Sequence, residues 1–119
     1  MLAVEVNGAQ LAYEAQGEGE PLVFVHGSLE DYRSWHGQMA RFAERFHVVS
    51  YSRRYHYPNA PAGDRRDYSA ALHAEDLAGL IRALDLGPRV HLVTSSYGGY
   101  VSLVMAARHP ELVRSMVLG

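Results

Sequence analysis

With 119 residues, the chain has room for one domain with a modest core. Its hydrophobic and charged fractions of 48% and 20% are those of an ordinary globular protein, and a net charge of -2 gives nucleic acid or an anionic membrane nothing to recognise. It contains no cysteine and no lysine, so disulfides, thiolate nucleophiles, Schiff bases and serine–lysine dyads are excluded and serine, threonine or carboxylate nucleophiles remain.

Val4 and Val6, then Leu11 and Tyr13, alternate with polar residues around Asn7-Gly8, which predicts a β-hairpin. The continuous apolar run Leu22-Val23-Phe24-Val25 suits a parallel strand buried on both faces, and it ends at His26-Gly27. Trp35, Met39, Phe42 and Phe46 recur at helical spacing, predicting an amphipathic helix from Ser34 to Phe46. His47 to Tyr51 reads as a strand, and Ser52 to Asp67 as a loop rich in Arg, Tyr, Pro, Asn and Gly. Leu77, Leu80, Ile81 and Leu84 mark a second helix from about Ser69 to Leu86, closed by Gly87-Pro88. A strand at Val90–Val93, a helix at Tyr97–Arg108 and a strand at Val113–Leu118 complete the series. A hairpin followed by alternating strands and helices predicts a single α/β domain over residues 1–119 with a mostly parallel sheet. No apolar stretch is long enough to span a membrane and the N-terminus lacks a signal-peptide pattern, so no membrane partner and a cytoplasmic setting are expected.

The chemistry concentrates at Val93-Thr94-Ser95-Ser96-Tyr97-Gly98-Gly99, between a strand and a helix. This reads as a nucleophile elbow, a sharp turn that holds one serine hydroxyl out at the top of a sheet. Ser96 is the better nucleophile: Gly98 supplies the small residue needed two positions later, although Thr94 is bulkier than the glycine usual two positions before. For Ser95 the same offsets hold Val93 and Tyr97. The bland alternative is a turn whose serines only cap the next helix.

Together with Val23-Phe24-Val25-His26-Gly27, Trp35, Tyr51 and Arg54, Ala74-Glu75-Asp76-Leu77, Val90-His91-Leu92-Val93 and His109-Pro110-Glu111-Leu112-Val113, this motif resembles the α/β-hydrolase superfamily, especially its compact bacterial serine esterases and haloperoxidase-like members. The resemblance implies the N-terminal half of such a fold, a truncated core lacking the last strands, helices and lid, along with the acid and histidine they deliver. It implies an ester hydrolase working through an acyl-enzyme on Ser96, with the oxyanion held by the backbone N–H groups of Ser28 and Tyr97, and with no metal or organic cofactor. A catalytically impaired module that binds a partner or ligand is the alternative.

His36 early in the first helix, His73 in the second, His91 inside a strand and His109 at the far end of the helix that starts at the elbow are not expected to serve Ser96 within one chain. His26 and His56, at the C-terminal edge of the sheet, are the candidate bases, His26 being the more suited to shaping its own loop. Ser52, Tyr55 and Tyr57 occupy positions where the family usually carries an aspartate and two glycines, and the bulky tyrosines are expected to change the shape of that loop and partly cover the pocket. The strand at 113–118 is expected to be an edge and one sheet face to be thinly covered, so self-association is expected through either surface.

Overall fold

The structure, a computed structural model, describes residues 1–60 and 67–119. The part of the predicted Ser52–Asp67 loop at 61–66 lies outside the described residues. Strands β1 (Leu2–Val6) and β2 (Ala9–Gln16) form the hairpin, and Asn7 and Gly8 at its tip have φ of 49° and 82°. Both turn residues are thus left-handed, as an Asn-Gly two-residue turn requires. Then follow β3 (Glu20–Val25), helix α1 (His36–Phe42), β4 (Phe46–Tyr51), α2 (Ala70–Ala83), β5 (Val90–Thr94), α3 (Tyr97–Arg108) and β6 (Val113–Leu118). The six strands make one sheet in the order β1-β2-β4-β3-β5-β6. β1, β2 and β4 pair antiparallel; β4, β3, β5 and β6 are parallel, as expected.

α2 and α3 pack on one sheet face over the larger core, with Leu11, Val23, Val49, Leu77, Leu80, Ile81, Leu92 and Met105 buried within it. Ser69 caps α2, its side chain accepting the Leu72 N–H. On the opposite face, among the described residues, only α1 and the turn before it cover a smaller cluster of Leu22, Phe24, Met39 and Val48.

The helix expected over Ser34–Phe46 is shorter. A single 3-10 turn at Tyr32–Trp35 leads into α1, and Phe46 already belongs to β4. Trp35, Phe42 and Phe46 nevertheless pack on the same small core, so the apolar spacing is real although its last member is a strand residue. The cause lies in the turn before β3. A Cβ at Gly17 would meet the Ala43 and Phe46 carbonyl oxygens within 2.5 Å, and one at Gly19 the Arg45 carbonyl at 2.4 Å. The chain leaving α1 therefore lays its carbonyls against these two glycines and turns directly into β4.

Among the described residues β6 pairs with β5 alone and forms one edge of the sheet, with Val117 and Leu118 exposed.

Candidate active site

The order of strands reverses at β3: the chain runs from β3 to β4 on one side and then to β5 on the other. Ligands in such sheets bind at the crevice outside the C-terminal strand ends where this reversal occurs. His26-Gly27-Ser28 leaves β3 at that point, and Ser95-Ser96 leaves β5 beside it. The Ser95 N–H donates to the Val25 carbonyl at 3.1 Å, which locks the two strand ends together.

Ser96 has φ 52° and ψ -120°, a conformation sparsely populated by residues other than glycine. It is exposed, makes no side-chain cap to α3, and its Oγ has no hydrogen-bond partner among the described residues. The capping alternative is thus absent from the observed geometry. Gly98 is a steric necessity, because a Cβ there would lie 2.2 Å from the Val25 oxygen and 2.6 Å from the His26 oxygen. Thr94, where a glycine was the usual residue, is buried; its hydroxyl donates to the Val117 carbonyl at 2.9 Å. Gly99 leaves room beside it, since a Cβ there would meet Thr94 Oγ1 at 3.2 Å. The bulk is moved one turn along, from the strand to a second glycine in the helix.

Gly27 brings the β3 loop against the elbow, an added Cβ there falling 3.0 Å from the Ser95 oxygen and 3.1 Å from Ser96 Cβ. The loop is held from behind by Arg53, which is 1% exposed. Its Nε and Nη2 donate to the His26 and Gly27 carbonyls, each at 3.1 Å, and its Nη1 donates to Tyr68 Oη at 3.2 Å. C=O and N–H point in opposite directions across a trans peptide. Drawing the Gly27 carbonyl inward onto Arg53 therefore turns the Ser28 N–H the other way.

His26 is fully buried. Its Nδ1 donates to the Gly27 carbonyl at 2.8 Å, and its Nε2 accepts the Arg53 backbone N–H at 2.9 Å. Neither nitrogen is left to take a proton from Ser96, and burial, aided by the Arg53 charge, pushes its pKa down to about 3. His56 donates from Nδ1 to the Glu30 carbonyl at 2.8 Å and turns Nε2 toward the Tyr68 hydroxyl. Burial, reinforced by Arg53, lowers its pKa as well. The two candidate bases stand with ring centroids 4.6 Å apart.

His73 was not among the candidates, yet α2 brings it into this cluster, 4.4 Å from the Tyr68 ring and 6.3 Å from the Tyr97 ring. Both its nitrogens are buried without a partner among the described residues, and burial followed by the Arg53 charge pushes its pKa to about 3. Its spacing from Leu77 and Leu80 is the signal that marks it as facing the sheet. At the positions usually held by glycine, Tyr55 keeps the left-handed conformation with φ 73°, and Tyr57 lies 4.3 Å beneath the Arg33 guanidinium. Ser52, in the usual aspartate position, accepts the Tyr32 N–H and donates to the Tyr57 carbonyl. Tyr55 and Tyr57, together with Ser28, Glu30, His56 and Tyr68, line a surface cavity of about 510 Å³ at this edge. The tyrosines thus form part of the wall of this cavity. No metal-binding cluster is present and no helix is long and apolar enough to cross a membrane, among the described residues.

This strand–turn–helix geometry coincides with the results of comparison. The model of the α/β hydrolase fold family matches residues 20–118, and the chain belongs to that family. It is 32% identical over 114 residues to a 2-(acetamidomethylene)succinate hydrolase of Mesorhizobium japonicum, covering 96% of this chain and 40% of that one. A haloalkane dehalogenase of Sphingobium indicum is 31% identical over 116 residues, covering 95% and 39% of the two chains. Among solved structures, an esterase from Thermogutta terrifontis superposes with a TM-score of 0.91 at 26% identity, covering 99% of this chain and 45% of the other. The chain thus spans about two-fifths of the length of these relatives, whose reactions are hydrolyses of different kinds.

Proposed function

We propose that the chain carries the nucleophile and oxyanion site of a serine hydrolase that acts on carboxylic esters. The observation that carries this reading is Ser96 itself: a serine in left-handed backbone geometry, exposed, with a free hydroxyl, at the strand reversal of the sheet. Strain of this kind, on the order of 1–3 kcal/mol, persists where the surroundings impose it. Here Gly98 and the bond from Ser95 to Val25 impose it. Ser96 Oγ attacks the acyl carbon, and the Ser28 and Tyr97 N–H groups receive the charge that develops on the carbonyl oxygen. Water then releases the acid. A serine at this position favours ester chemistry over the carboxylate-nucleophile reactions of dehalogenases and epoxide hydrolases.

Hydrolysis of a short p-nitrophenyl ester is expected, together with stoichiometric labelling by a fluorophosphonate at Ser96. In Ser96→Ala, folded to the same thermal stability, both are expected to fall to background. Equal activity in the two proteins would transfer support to the alternative, a binding module that retains the elbow without using it.

We also infer that a second copy of the chain is a partner. The exposed Val117 and Leu118 on the unpaired edge of β6 favour strand-to-strand pairing across a two-fold axis. Sedimentation equilibrium should show a dimer that Val117→Lys shifts to monomer; an unchanged monomer in both proteins removes this partner.

A further inference from the structure

Among the described residues Arg53 is the largest side chain that is fully buried, and its contacts converge on the two segments assigned to the oxyanion. It follows β4 by two residues, and its own backbone N–H is anchored on His26 Nε2 at 2.9 Å. From that root the planar guanidinium reaches back with two donors, Nε to the His26 carbonyl and Nη2 to the Gly27 carbonyl. The Gly27 carbonyl takes a further donor, His26 Nδ1, at 2.8 Å. On the other flank the Gly27 N–H donates to Glu30 Oε1 at 2.6 Å, so Gly27 is held at both its N–H and its carbonyl. The same guanidinium touches the elbow. Its carbon stands over the Tyr97 ring, 5.1 Å from the centroid, and 5.9 Å from the centroid of Tyr68. Those two rings stack on each other with centroids 6.1 Å apart. Both guanidinium distances fall within the range in which a cation is attracted to an aromatic face.

We propose that Arg53 is the positioning residue that sets both halves of the oxyanion site; this rests on the reading of Ser96 as nucleophile with the Ser28 and Tyr97 N–H groups as donors. It acts through those residues and not on the substrate. At the Gly27–Ser28 peptide it does two things. By fixing the carbonyl it fixes the direction of the N–H on the other side of the same plane. By donating from a charged group it also draws electron density toward that carbonyl. Hydrogen bonds in such a chain strengthen one another, so the Ser28 N–H becomes a better donor for the oxyanion.

At Tyr97, the first residue of α3, the cation holds the ring and so restrains the residue whose N–H is the second donor. The guanidinium is in place before any substrate arrives, so neither donor has to reorganise as charge develops. Lysine would not reproduce the arrangement, because an ammonium is a point charge without the fork that spans two carbonyls.

Hydrolysis of p-nitrophenyl acetate by wild type, Arg53→Lys, Arg53→Met and Ser96→Ala tests this, with each rate normalised to the folded fraction by circular dichroism. Arg53→Met is expected to lower kcat about tenfold or more with KM little changed, a smaller effect than loss of a whole oxyanion donor. Arg53→Lys returns the charge without the fork and should regain part of kcat. The rate of fluorophosphonate labelling at Ser96 should fall in the same order. Should the methionine variant fail to fold, the lysine variant carries the test, its kcat expected about threefold or more below wild type. A smaller loss of kcat in the variant that carries the test, in a series where Ser96→Ala is silent, overturns Arg53 and leaves Ser96 standing. So does a loss carried by KM alone, which is what a merely deformed pocket would give. Activity in Ser96→Ala equal to wild type overturns both.

Discussion

Replacing Asp76 by alanine is expected to destabilise the fold by about 3–5 kcal/mol, the range for breaking a buried ion pair from one side. Asp76 is 1% exposed on α2. Its two oxygens accept from Arg54 Nε at 2.8 Å and Nη2 at 3.1 Å. Asn7 Nδ2 donates to the same carboxylate at 3.1 Å, and Arg54 Nη2 donates to the Asn7 carbonyl at 2.9 Å. Three distant pieces of chain, the hairpin tip, the loop after β4 and α2, are tied by four hydrogen bonds. The alanine variant leaves a guanidinium buried with no carboxylate to neutralise it. The pair is not expected to be a large net source of stability against an apolar replacement of both partners. The double variant Asp76→Leu, Arg54→Met should therefore recover most of the loss. Urea unfolding of the three proteins tests this; a single variant within 1 kcal/mol of wild type would show that the bonds are dispensable.

The second large effect is acid sensitivity. His26 and His73 are held near pKa 3 in the folded protein by burial, with Arg53 adding to the effect. In the unfolded chain each returns to about 6.5. Below that value the unfolded chain binds the protons and the folded one does not, so protonation favours unfolding. Their contribution is complete above pH 6.5 and is lost progressively as pH falls toward 3. At pH 5 each histidine costs about 2 kcal/mol, about 4 kcal/mol together, against a typical domain stability of about 5–15 kcal/mol. Urea midpoints from pH 7 to pH 5 should fall accordingly. His73→Phe should remove one proton's worth of the slope without loss at pH 7, because both nitrogens of His73 are unpartnered among the described residues. A stability that stays level between pH 7 and pH 5 would mean that the two rings are not held neutral.

The strands, the hairpin and the elbow were legible because their signals are local. Asn7-Gly8 specifies its own turn, and Ser96-Tyr97-Gly98 announces a strand-to-helix corner within a few residues. What could not be read depends on residues distant in sequence. α1 stops early because the carbonyls that follow it settle on Gly17 and Gly19. Arg53 looked like one more arginine in a polar loop, yet two backbone carbonyls and a phenol take it to 1% exposure. The contact of the Glu30 carboxylate with the Gly27 N–H was equally hidden, since it forms only after the left-handed step at Leu29.

The pairing of β3 with β5 joins residues 22–25 to residues 91–94. Those contacts close the longest loop in the parallel sheet, and closures of this kind are slow because chain entropy must be lost before any contact repays it. Ser96 acquires its strained backbone only when that closure is complete, since Ser95 hangs on Val25 and Gly98 slots beneath Val25 and His26. Before then it is one hydroxyl among many on a mobile chain. During refolding, reactivity toward an acylating probe should therefore appear among the last signals, after helix formation.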